Sequence, residues 1–359
     1  MKPSLLSKWL TGKRSLFISL TGIVLLTNLS SAYAQQPRAT ATYSFSTAEQ
    51  LQDKTWCRQI EEFYAEGKEG RFTGEAGVEI YYRIFLQPSE EQGAIMVSPG
   101  RTEAVLKYRE LAFDLFNNGY SVYLVDHRGQ GLSGRMTDDP EMGYVDDYQF
   151  YIDDMKTFYD RHMAMGGHAR TFMLAHSLGG AIGMNYLEQH PGDFTAAAFS
   201  SPMLGLSAYI CPLARILSGK TPKYAPGQTG YHEDSTSFTG NSVTGSEIRF
   251  HRMIAGYERV PEARLGGASL QWLKQSCRMM KSAFRNIDKL ETPFILFAAD
   301  NETVVNPKAY HKFMKKAGKK GGDGTIVRIE NAQHELLMEK DPQRIETLSK
   351  TLDFFREQP

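Results

Sequence analysis

The sequence predicts an α/β fold built on a mostly parallel sheet, and two observations lead to this prediction. Short stretches rich in apolar, β-branched and aromatic residues have strand character; they lie at 78–85, 94–97, 121–125, 171–175 and 195–199. Stretches with helical periodicity follow most of them. Strands that alternate with helices need crossover connections and therefore run parallel, and continuously apolar strands fit a sheet that is buried on both faces.

The sequence also predicts helices between these strands and one before the first strand. After the second strand comes an apolar stripe that ends at Asn117-Asn118-Gly119, formed by Tyr108, Leu111, Ala112, Leu115 and Phe116. Further helices are predicted at 145–163 and 179–187. Before the first strand, Ser46 and Glu49 have the spacing of a capping box, which predicts a helix that begins at Ser46.

The alternation stops after Pro202 and resumes with strands at 294–298 and 325–329 and a last helix through Ile345 and Phe355. An insertion therefore interrupts the α/β domain. We predict five divisions of the chain: a signal peptide, a leader with one helix, the first part of the core, a mainly helical cap and the second part of the core, at 1–34, 35–71, 72–202, 203–290 and 291–359.

The N-terminal segment has the pattern of a secretory signal. Four basic residues precede an apolar run at 16–27, which is too short to span a bilayer, and Ala32-Tyr33-Ala34 places small residues where a signal peptidase reads them. We expect cleavage before Gln35 and export to a periplasm or to the medium. An uncleaved N-terminal anchor is the alternative.

Charge and cysteine content narrow the function classes. Without its first 34 residues the chain has 37 basic and 41 acidic residues, a net charge of −4, which argues against nucleic acid or an anionic membrane as a bulk electrostatic partner. The basic stretch at 315–320 is interpreted as a solvated helix end. An oxidising compartment permits a disulfide between Cys211 and Cys277, which would leave Cys57 unpaired.

The segment Ala175-His176-Ser177-Leu178-Gly179-Gly180 lies where a predicted strand ends and a helix begins. This is the pattern of a nucleophile elbow, in which a strained turn lifts the serine above the sheet and small residues stand two positions on either side. Alanine replaces the usual first glycine, but it is still small. Ser177 is therefore the predicted nucleophile.

A serine hydroxyl needs a base, and that base needs an orienting acid. In this architecture the chain order is Ser, acid, His, each after a strand. Asp300 directly follows the strand at 294–298 and His334 follows the strand at 325–329, so Ser177, Asp300 and His334 are the predicted catalytic triad. Glu302 remains an alternative acid. His311 is a weaker candidate base because it falls inside a predicted helix.

An oxyanion hole would complete the site. The expected donors are the backbone N–H of Leu178, directly after the nucleophile, and that of Arg101, in the loop Ser98-Pro99-Gly100-Arg101; the alternative is that Pro99-Gly100 is only a turn. The segment 126–131 lacks a dinucleotide or P-loop fingerprint and is interpreted as a structural turn. No cysteine and histidine cluster has the spacing of a metal site, so neither metal nor cofactor is expected.

Several of these segments together resemble the bacterial lysophospholipase and monoacylglycerol lipase family. They are Pro99-Gly100-Arg101, Asp126-x-Arg128-Gly129-x-Gly131-x-Ser133, His176-Ser177-Leu178-Gly179-Gly180 and His334-Glu335-Leu336-Leu337. Leu265-Gly266-Gly267 with Trp272, and Val243-Thr244-x-Ser246 with Arg249, resemble the cap of the lysophospholipases in particular. The resemblance implies the α/β-hydrolase fold and a serine hydrolase.

The resemblance also implies a substrate class. It favours hydrolysis of the acyl ester of a single-chain lipid, with a lysophospholipid first and a monoacylglycerol or a general carboxylic ester as the alternative, and transient contact with a membrane or micelle. Apolar residues of the cap at 204–217 could shelter an acyl chain. A non-enzymatic binding protein of the same fold and a metal-dependent hydrolase remain as competing classes, because fold alone does not fix function.

Overall fold

The centre of the molecule is a mixed, mostly parallel sheet. The computed structural model describes residues 42–219, 221–232 and 236–359, and the predicted signal peptide lies outside the described residues. The described residues contain eight strands, paired in the order β1-β2-β4-β3-β5-β6-β7-β8: β1 Lys68–Thr73, β2 Glu79–Phe85, β3 Gly93–Ser98, β4 Tyr120–Val125, β5 Thr171–His176, β6 Ala196–Ser200, β7 Phe294–Ala299 and β8 Gly324–Ile329. β1 and β2 pair antiparallel, as do β2 and β4, and the other pairs are parallel. The predicted α/β-hydrolase fold is confirmed.

Helices cover both faces of the sheet. Their bounds are α1 Lys54–Glu66, α2 Arg109–Asn117, α3 Gln149–Phe158, α4 Leu178–Gln189, α5 Ile210–Leu217, α6 Glu247–Arg259, α7 Leu270–Arg285, α8 Lys308–Lys319 and α9 Asp341–Glu357. Successive residues of a strand point to opposite faces. In β5, Phe172 and Leu174 pack with α2 and α9, whereas Met173 and Ala175 pack with α3, α4, α7 and α8.

The first helix begins later than its sequence predicts. Ser46 does not start it: its Oγ donates to Asp114 Oδ1 at 2.7 Å, and Arg344 Nη2 holds the second oxygen of Asp114 at 2.7 Å. α1 begins at Lys54 instead, with the Asp53 side chain accepting from Thr55 N as its cap. The prediction at Ser46 is therefore wrong, because a buried tertiary pair captures the capping hydroxyl.

The insertion at 203–290, which we call the cap segment, contains α5, α6 and α7 among its described residues. The disulfide between Cys211 of α5 and Cys277 of α7 that the sequence permits is present, with 66 residues of separation. It ties the short α5 to the longer α7, which packs on α4 of the core. No helix of the described residues is long and apolar enough to cross a membrane.

Removing this disulfide should destabilise the protein. Closing a loop of 66 residues lowers the conformational entropy of the unfolded chain, so a Cys211→Ala/Cys277→Ala variant should lose about 2–4 kcal/mol of unfolding free energy. Denaturant titration of oxidised protein measures the loss. Cys57→Ala, which removes the unpaired thiol, is the control and should change the unfolding free energy much less; equal losses in the two variants would contradict the prediction.

Candidate active site

Ser177 lies in a strained turn between β5 and α4. Its backbone has φ 49° and ψ −113°, a conformation that residues other than glycine rarely adopt. The turn is tight because α4 starts directly against the loop after β3: a Cβ on Gly179 would lie 2.2 Å from the backbone oxygen of Ser98. The nucleophile elbow predicted from the sequence is therefore present, and Gly179 is required by contact with neighbouring backbone.

His334 meets Ser177 from the loop after β8. Its Nε2 lies 2.9 Å from Ser177 Oγ, and both side chains are largely buried, with 3% and 8% of the residue surface exposed. The distance is that of a hydrogen bond in which the imidazole can take the hydroxyl proton. The structure thus brings together two of the three residues predicted as the triad.

The third predicted member, Asp300, is not beside His334, and this prediction is corrected by the structure. The other imidazole nitrogen, Nδ1, lies 2.7 Å from Glu302 Oε2, and no part of the Glu302 side chain is exposed. Glu302, the alternative acid of the sequence analysis, therefore holds the position next to the imidazole.

Asp300 is directed outward. It forms an ion pair with Arg328 of the adjacent strand β8, whose side chain is 71% exposed, and accepts a long bond of 3.4 Å from the N–H of Asn331. The reason lies in the register: Asp300 directly follows β7 and pairs its N–H with Ile329 O as if the ladder continued. Two residues further on, the chain has turned toward the site, and the longer glutamate side chain reaches the imidazole.

The environment of Glu302 keeps it ionised. Burial alone would raise its pKa, but the hydrogen bond and charge of His334 and the N–H groups of Val304 and Val305 hold the pKa below its ordinary value. Those two N–H groups bind the other carboxylate oxygen at 2.8 and 3.1 Å. A fixed carboxylate of this kind selects the tautomer with a proton on Nδ1 and leaves Nε2 free to accept the proton of Ser177.

The loop after β3, at 99–104, lies beside the nucleophile. Arg101, Thr102 and Ser177 line one cavity, and Leu178 is the first residue of α4, where backbone N–H groups have no partner within the helix. The loop is held by Gln130, which belongs to the segment interpreted from the sequence as a structural turn, and by Tyr257, which the sequence analysis did not identify. Gln130 Nε2 donates to Gly100 O at 2.7 Å, and the hydroxyl of Tyr257 from the cap segment donates to Thr102 O and accepts from Ala104 N.

The segment at 126–131 acts as a scaffold for this loop, in line with its interpretation as a structural turn. Asp126 accepts from Val105 N at 2.6 Å and from Leu132 N at 2.7 Å. A Cβ on Gly131, whose φ is 56°, would lie 2.2 Å from the Asp126 carboxylate. The glycine is therefore needed for close packing against a carboxylate within this turn.

A buried ionic cluster lies behind the nucleophile, formed by Glu103, Lys107, His176 and Glu335. Lys107 Nζ donates to both carboxylates, at 2.6 Å to Glu335, and His176 Nε2 lies 3.2 Å from Glu335. Glu103 also accepts from the backbone N–H of Gly100, so the cluster fixes the loop that carries Arg101. The four-residue spacing of Glu103 and Lys107 is the sequence pattern that could have indicated their ion pair.

The cluster is balanced in charge. The ligand atoms of Glu103, His176 and Glu335 lie within 4.8 Å of one another, a spacing that could hold a metal ion, but the ammonium group of Lys107 already supplies a cation to both carboxylates. Burial would lower the pKa of His176, yet the carboxylates of Glu335 and Glu103 raise it above 6.5. The same contacts with Lys107 and His176 hold the pKa of Glu335 well below its usual range despite its burial.

The raised pKa of His176 gives stability a dependence on pH. A histidine whose pKa is higher in the folded than in the unfolded state stabilises the fold below its unfolded pKa, and this contribution is lost as pH rises through the folded pKa. The unfolding free energy of the parent, minus that of His176→Asn, should therefore be largest below pH 6.5 and shrink above it. Denaturant titrations at a series of pH values measure the difference; a difference that grows with pH would contradict a protonated His176.

A cavity of about 540 Å³ opens from the nucleophile into the cap segment. Ser177, His334 and Arg101 stand at its polar end, and the remaining wall is mostly apolar; it includes Met203, Leu206, Ile210, Leu213, Ala214, Leu270, Trp272, Leu273 and Val305. Its volume is in the range of small-molecule sites. Arg101 closes one side, with its guanidinium 5.1 Å from the Trp272 ring and donating to Gly266 O at 2.6 Å.

Known proteins resemble this chain along most of its length. The sequence is 30% identical over 308 residues to lysophospholipase L2 of Escherichia coli strain K12, covering 82% of this chain and 89% of that protein. It is 30% identical to the probable lysophospholipase L2 of Haemophilus influenzae, covering 80% and 91%. The monoacylglycerol lipase structure from Paleococcus ferrophilus matches 77% of this chain and 98% of its own with a TM-score of 0.61 at 20% identity, which supports the fold.

A protein-family model matches over most of the same region. Residues 89–341, which include Ser177, Glu302 and His334 together with the cap segment, match the family described as serine aminopeptidase, S33. The family resemblance seen in the sequence is thus confirmed. This chain belongs to the serine aminopeptidase S33 family and is a hydrolase of the serine α/β type.

Proposed function

We propose that this protein cleaves the acyl ester of a single-chain lipid, with a lysophospholipid as the best-supported substrate. The observation that carries the proposal is the chain of contacts from Glu302 through His334 to Ser177 at the polar end of an apolar cavity. A reactive serine at the polar end of a mostly apolar cavity fits a substrate with one ester and one hydrocarbon chain. The lysophospholipase names of the relatives with 30% identity point to the same class.

The reaction would proceed through an acyl-enzyme intermediate. Ser177 Oγ attacks the ester carbonyl carbon while His334 Nε2 takes its proton, and Glu302 stabilises the imidazolium that forms. The N–H groups of Arg101 and Leu178 bind the oxyanion of the tetrahedral intermediate. The carbon–oxygen bond then breaks, His334 returns the proton to the leaving alcohol, and water attacks acyl-Ser177 by the same route to release the fatty acid.

The apolar wall of the cavity would hold the acyl chain. Leu206, Leu213 and Trp272 line it, and all three belong to the cap segment. Burying apolar surface gains about 25 cal/mol for each Å² removed from water, so a longer chain should bind more tightly until the cavity is filled. The lysophospholipid headgroup would remain at the mouth.

The substrate class is tested by comparing fatty acid release from a lysophospholipid, a monoacylglycerol with the same acyl chain and a short-chain ester. The proposal expects the highest kcat/KM for the lysophospholipid. A higher value for the monoacylglycerol or the short ester would favour the alternative, a monoacylglycerol lipase or a general carboxylesterase. Release that a chelator abolishes would instead point to a metal-dependent hydrolase.

We also propose that the protein is exported from the cytosol. The disulfide between Cys211 and Cys277 is the type of bond that forms outside the reducing cytosol. It supports the signal peptide predicted at 1–34, with residues from Gln35 onward forming the mature protein. N-terminal sequencing of protein recovered from a periplasmic extract or the medium should begin at Gln35; an intact Met1 terminus on membrane-bound protein would support the uncleaved anchor.

A further inference from the structure

A second cavity of about 440 Å³, which we call the side cavity, adjoins the active-site cavity near Arg101. Six residues line both cavities: Arg101, Thr102, Glu103, Gln228, Val243 and Glu335. Much of the remaining wall of the side cavity comes from two stretches of the cap segment, at 227–232 and 264–267. The apolar side chains of α5, which line the active-site cavity, are absent from its described lining. The polar end of the active site is therefore next to a space separate from the one proposed for the acyl chain.

The side chain of Arg101 is held in place where the two cavities meet. Its Nη2 donates to Gly266 O at 2.6 Å, and its guanidinium lies 5.1 Å from the centre of the Trp272 ring, within the range of a cation–π contact. A Cβ on Gly266 would lie 2.5 Å from the carbonyl carbon of Gly230, so a side chain there would push the two stretches of the cap segment apart. The cap motif Leu265-Gly266-Gly267 with Trp272 thus has a structural consequence, which is to fix the Arg101 guanidinium.

This guanidinium has unused hydrogen-bonding capacity. Gly266 O is the one acceptor that its N–H donors have among the residues that the structure describes, and Nε is buried without a partner. Burial lowers the pKa of Arg101 to about 10, which still leaves it charged at neutral pH, and the neighbouring group that raises this pKa is the Tyr151 hydroxyl, not a carboxylate. An enclosed cation without a counter-ion is costly, and the planar fork of a guanidinium suits a phosphate or a carboxylate.

The charge of the side cavity also favours an anion. Its described lining has three cationic residues, Arg101, Lys107 and Arg264, against two acidic ones. Both acidic residues already bind Lys107. Arg264 donates from Nε to Tyr257 O at 3.0 Å and forms no ion pair with another described residue. Two arginines are therefore left without a carboxylate partner at this end of the site.

The position of Arg101 fits the chemistry of one part of the substrate. Its backbone N–H is a proposed donor to the ester oxyanion, and in a lysophospholipid the phosphate is joined to that ester through the glycerol carbons, a length close to that of an arginine side chain. We propose that the Arg101 guanidinium binds the phosphate of the lysophospholipid headgroup and so selects this substrate over an uncharged monoacylglycerol. This role rests on the proposed lipid-ester function and makes Arg101 the residue that determines the headgroup class.

The ratio of two substrates tests this role. Values of kcat/KM are measured for palmitoyl lysophosphatidylcholine and monopalmitoylglycerol in neutral detergent micelles of one composition. The phosphocholine headgroup has no net charge, so long-range attraction does not set the ratio. Arg101→Gln keeps the backbone N–H and should lower the ratio of the lysophospholipid value to the monoacylglycerol value about ten- to a hundredfold, as expected for lost hydrogen bonds to a charged group. Arg101→Lys keeps the charge without the planar fork and should fall in between.

Two controls separate phosphate binding from a structural effect. Arg285→Gln removes an exposed arginine at the end of α7 that lines neither cavity, and it should leave the ratio unchanged. A displaced loop at 99–104 would slow both substrates, and this shared effect cancels in the ratio. Binding is also measured without hydrolysis and with Arg101 intact: Ser177→Ala should bind the ether analogue of the lysophospholipid more tightly than the ether analogue of the monoacylglycerol.

Three results would overturn the proposal. They are an unchanged ratio in Arg101→Gln, equal Kd values of Ser177→Ala for the two ether analogues, and inhibition by inorganic phosphate that Arg101→Gln relieves without a change in the ratio, which would make this a site for free phosphate. A parent that prefers the monoacylglycerol, with a ratio that still falls in Arg101→Gln, would reject the proposed substrate but keep the phosphate contact. A parent that prefers the lysophospholipid, with an unchanged ratio in Arg101→Gln, would keep the proposed function and reject the role of Arg101.

Discussion

Ser177→Ala is expected to lower kcat for ester hydrolysis by about a millionfold, to the level that binding and the oxyanion hole alone provide. The reason is that Ser177 Oγ is the atom 2.9 Å from His334 Nε2, so without it the imidazole has no nucleophile to activate. Fatty acid release measured with parent and variant at saturating substrate gives the ratio.

A nearby serine provides the control for this result. Ser207 is exposed and lies just before α5, close to the same cavity but outside its catalytic end. Ser207→Ala should retain kcat within about twofold, since surface substitutions away from special contacts have small effects. Equal activity in Ser177→Ala and the parent would show that Ser177 is not the nucleophile.

Glu302→Gln is expected to lower kcat by about 10⁴-fold while leaving KM nearly unchanged. The amide keeps the size of the side chain but loses the charge that stabilises the imidazolium, and it no longer selects the productive tautomer of His334. Asp300→Asn should retain kcat within a few-fold because Asp300 is paired with the exposed Arg328 and not with His334. Steady-state kinetics of the two variants against the parent is the measurement.

The opposite result for the two acid variants would contradict the assignment of Glu302 as the acid. A large loss in Asp300→Asn with little loss in Glu302→Gln would return the acid to Asp300 and show that the loop at 300–305 rearranges on substrate binding. Glu302→Asp offers a further check, because a shorter carboxylate keeps the charge but reaches less far. It should fall between the parent and Glu302→Gln.

The elements that the sequence predicts well are those with runs of apolar and β-branched residues or with small residues at fixed spacing. The strands from β2 to β8 and the elbow at Ser177 follow from apolar runs and from small residues at fixed spacing, and these local signals agree with the tertiary structure. β1 was missed although it is no more exposed than β8, the other edge strand, since five of six residues in each are exposed or half-buried; β8 carries Ile326, Val327 and Ile329, whereas Phe72 is the one large apolar residue of β1. Its sequence, with charged residues and a glycine, has no apolar periodicity.

Other features depend on tertiary contacts that no local pattern reveals. The choice between Asp300 and Glu302 depends on where the chain turns after β7, which the spacing from the strand does not determine. Ser46 does not cap a helix because its hydroxyl donates to Asp114, which is also paired with Arg344; these residues are far apart in sequence. The link between Lys107 and Glu335 joins two loops that only the folded sheet brings together.

The most direct test of the catalytic account is covalent labelling by a fluorophosphonate, followed by intact-protein mass spectrometry and peptide mapping. One adduct is expected on Ser177 in the parent and in Asp300→Asn at similar rates. Labelling should be much slower in Glu302→Gln, because His334 is then a poorer base, and absent in Ser177→Ala. An adduct on another residue, or labelling that depends on Asp300 and not on Glu302, would contradict the assignment of Ser177, His334 and Glu302 as the catalytic residues.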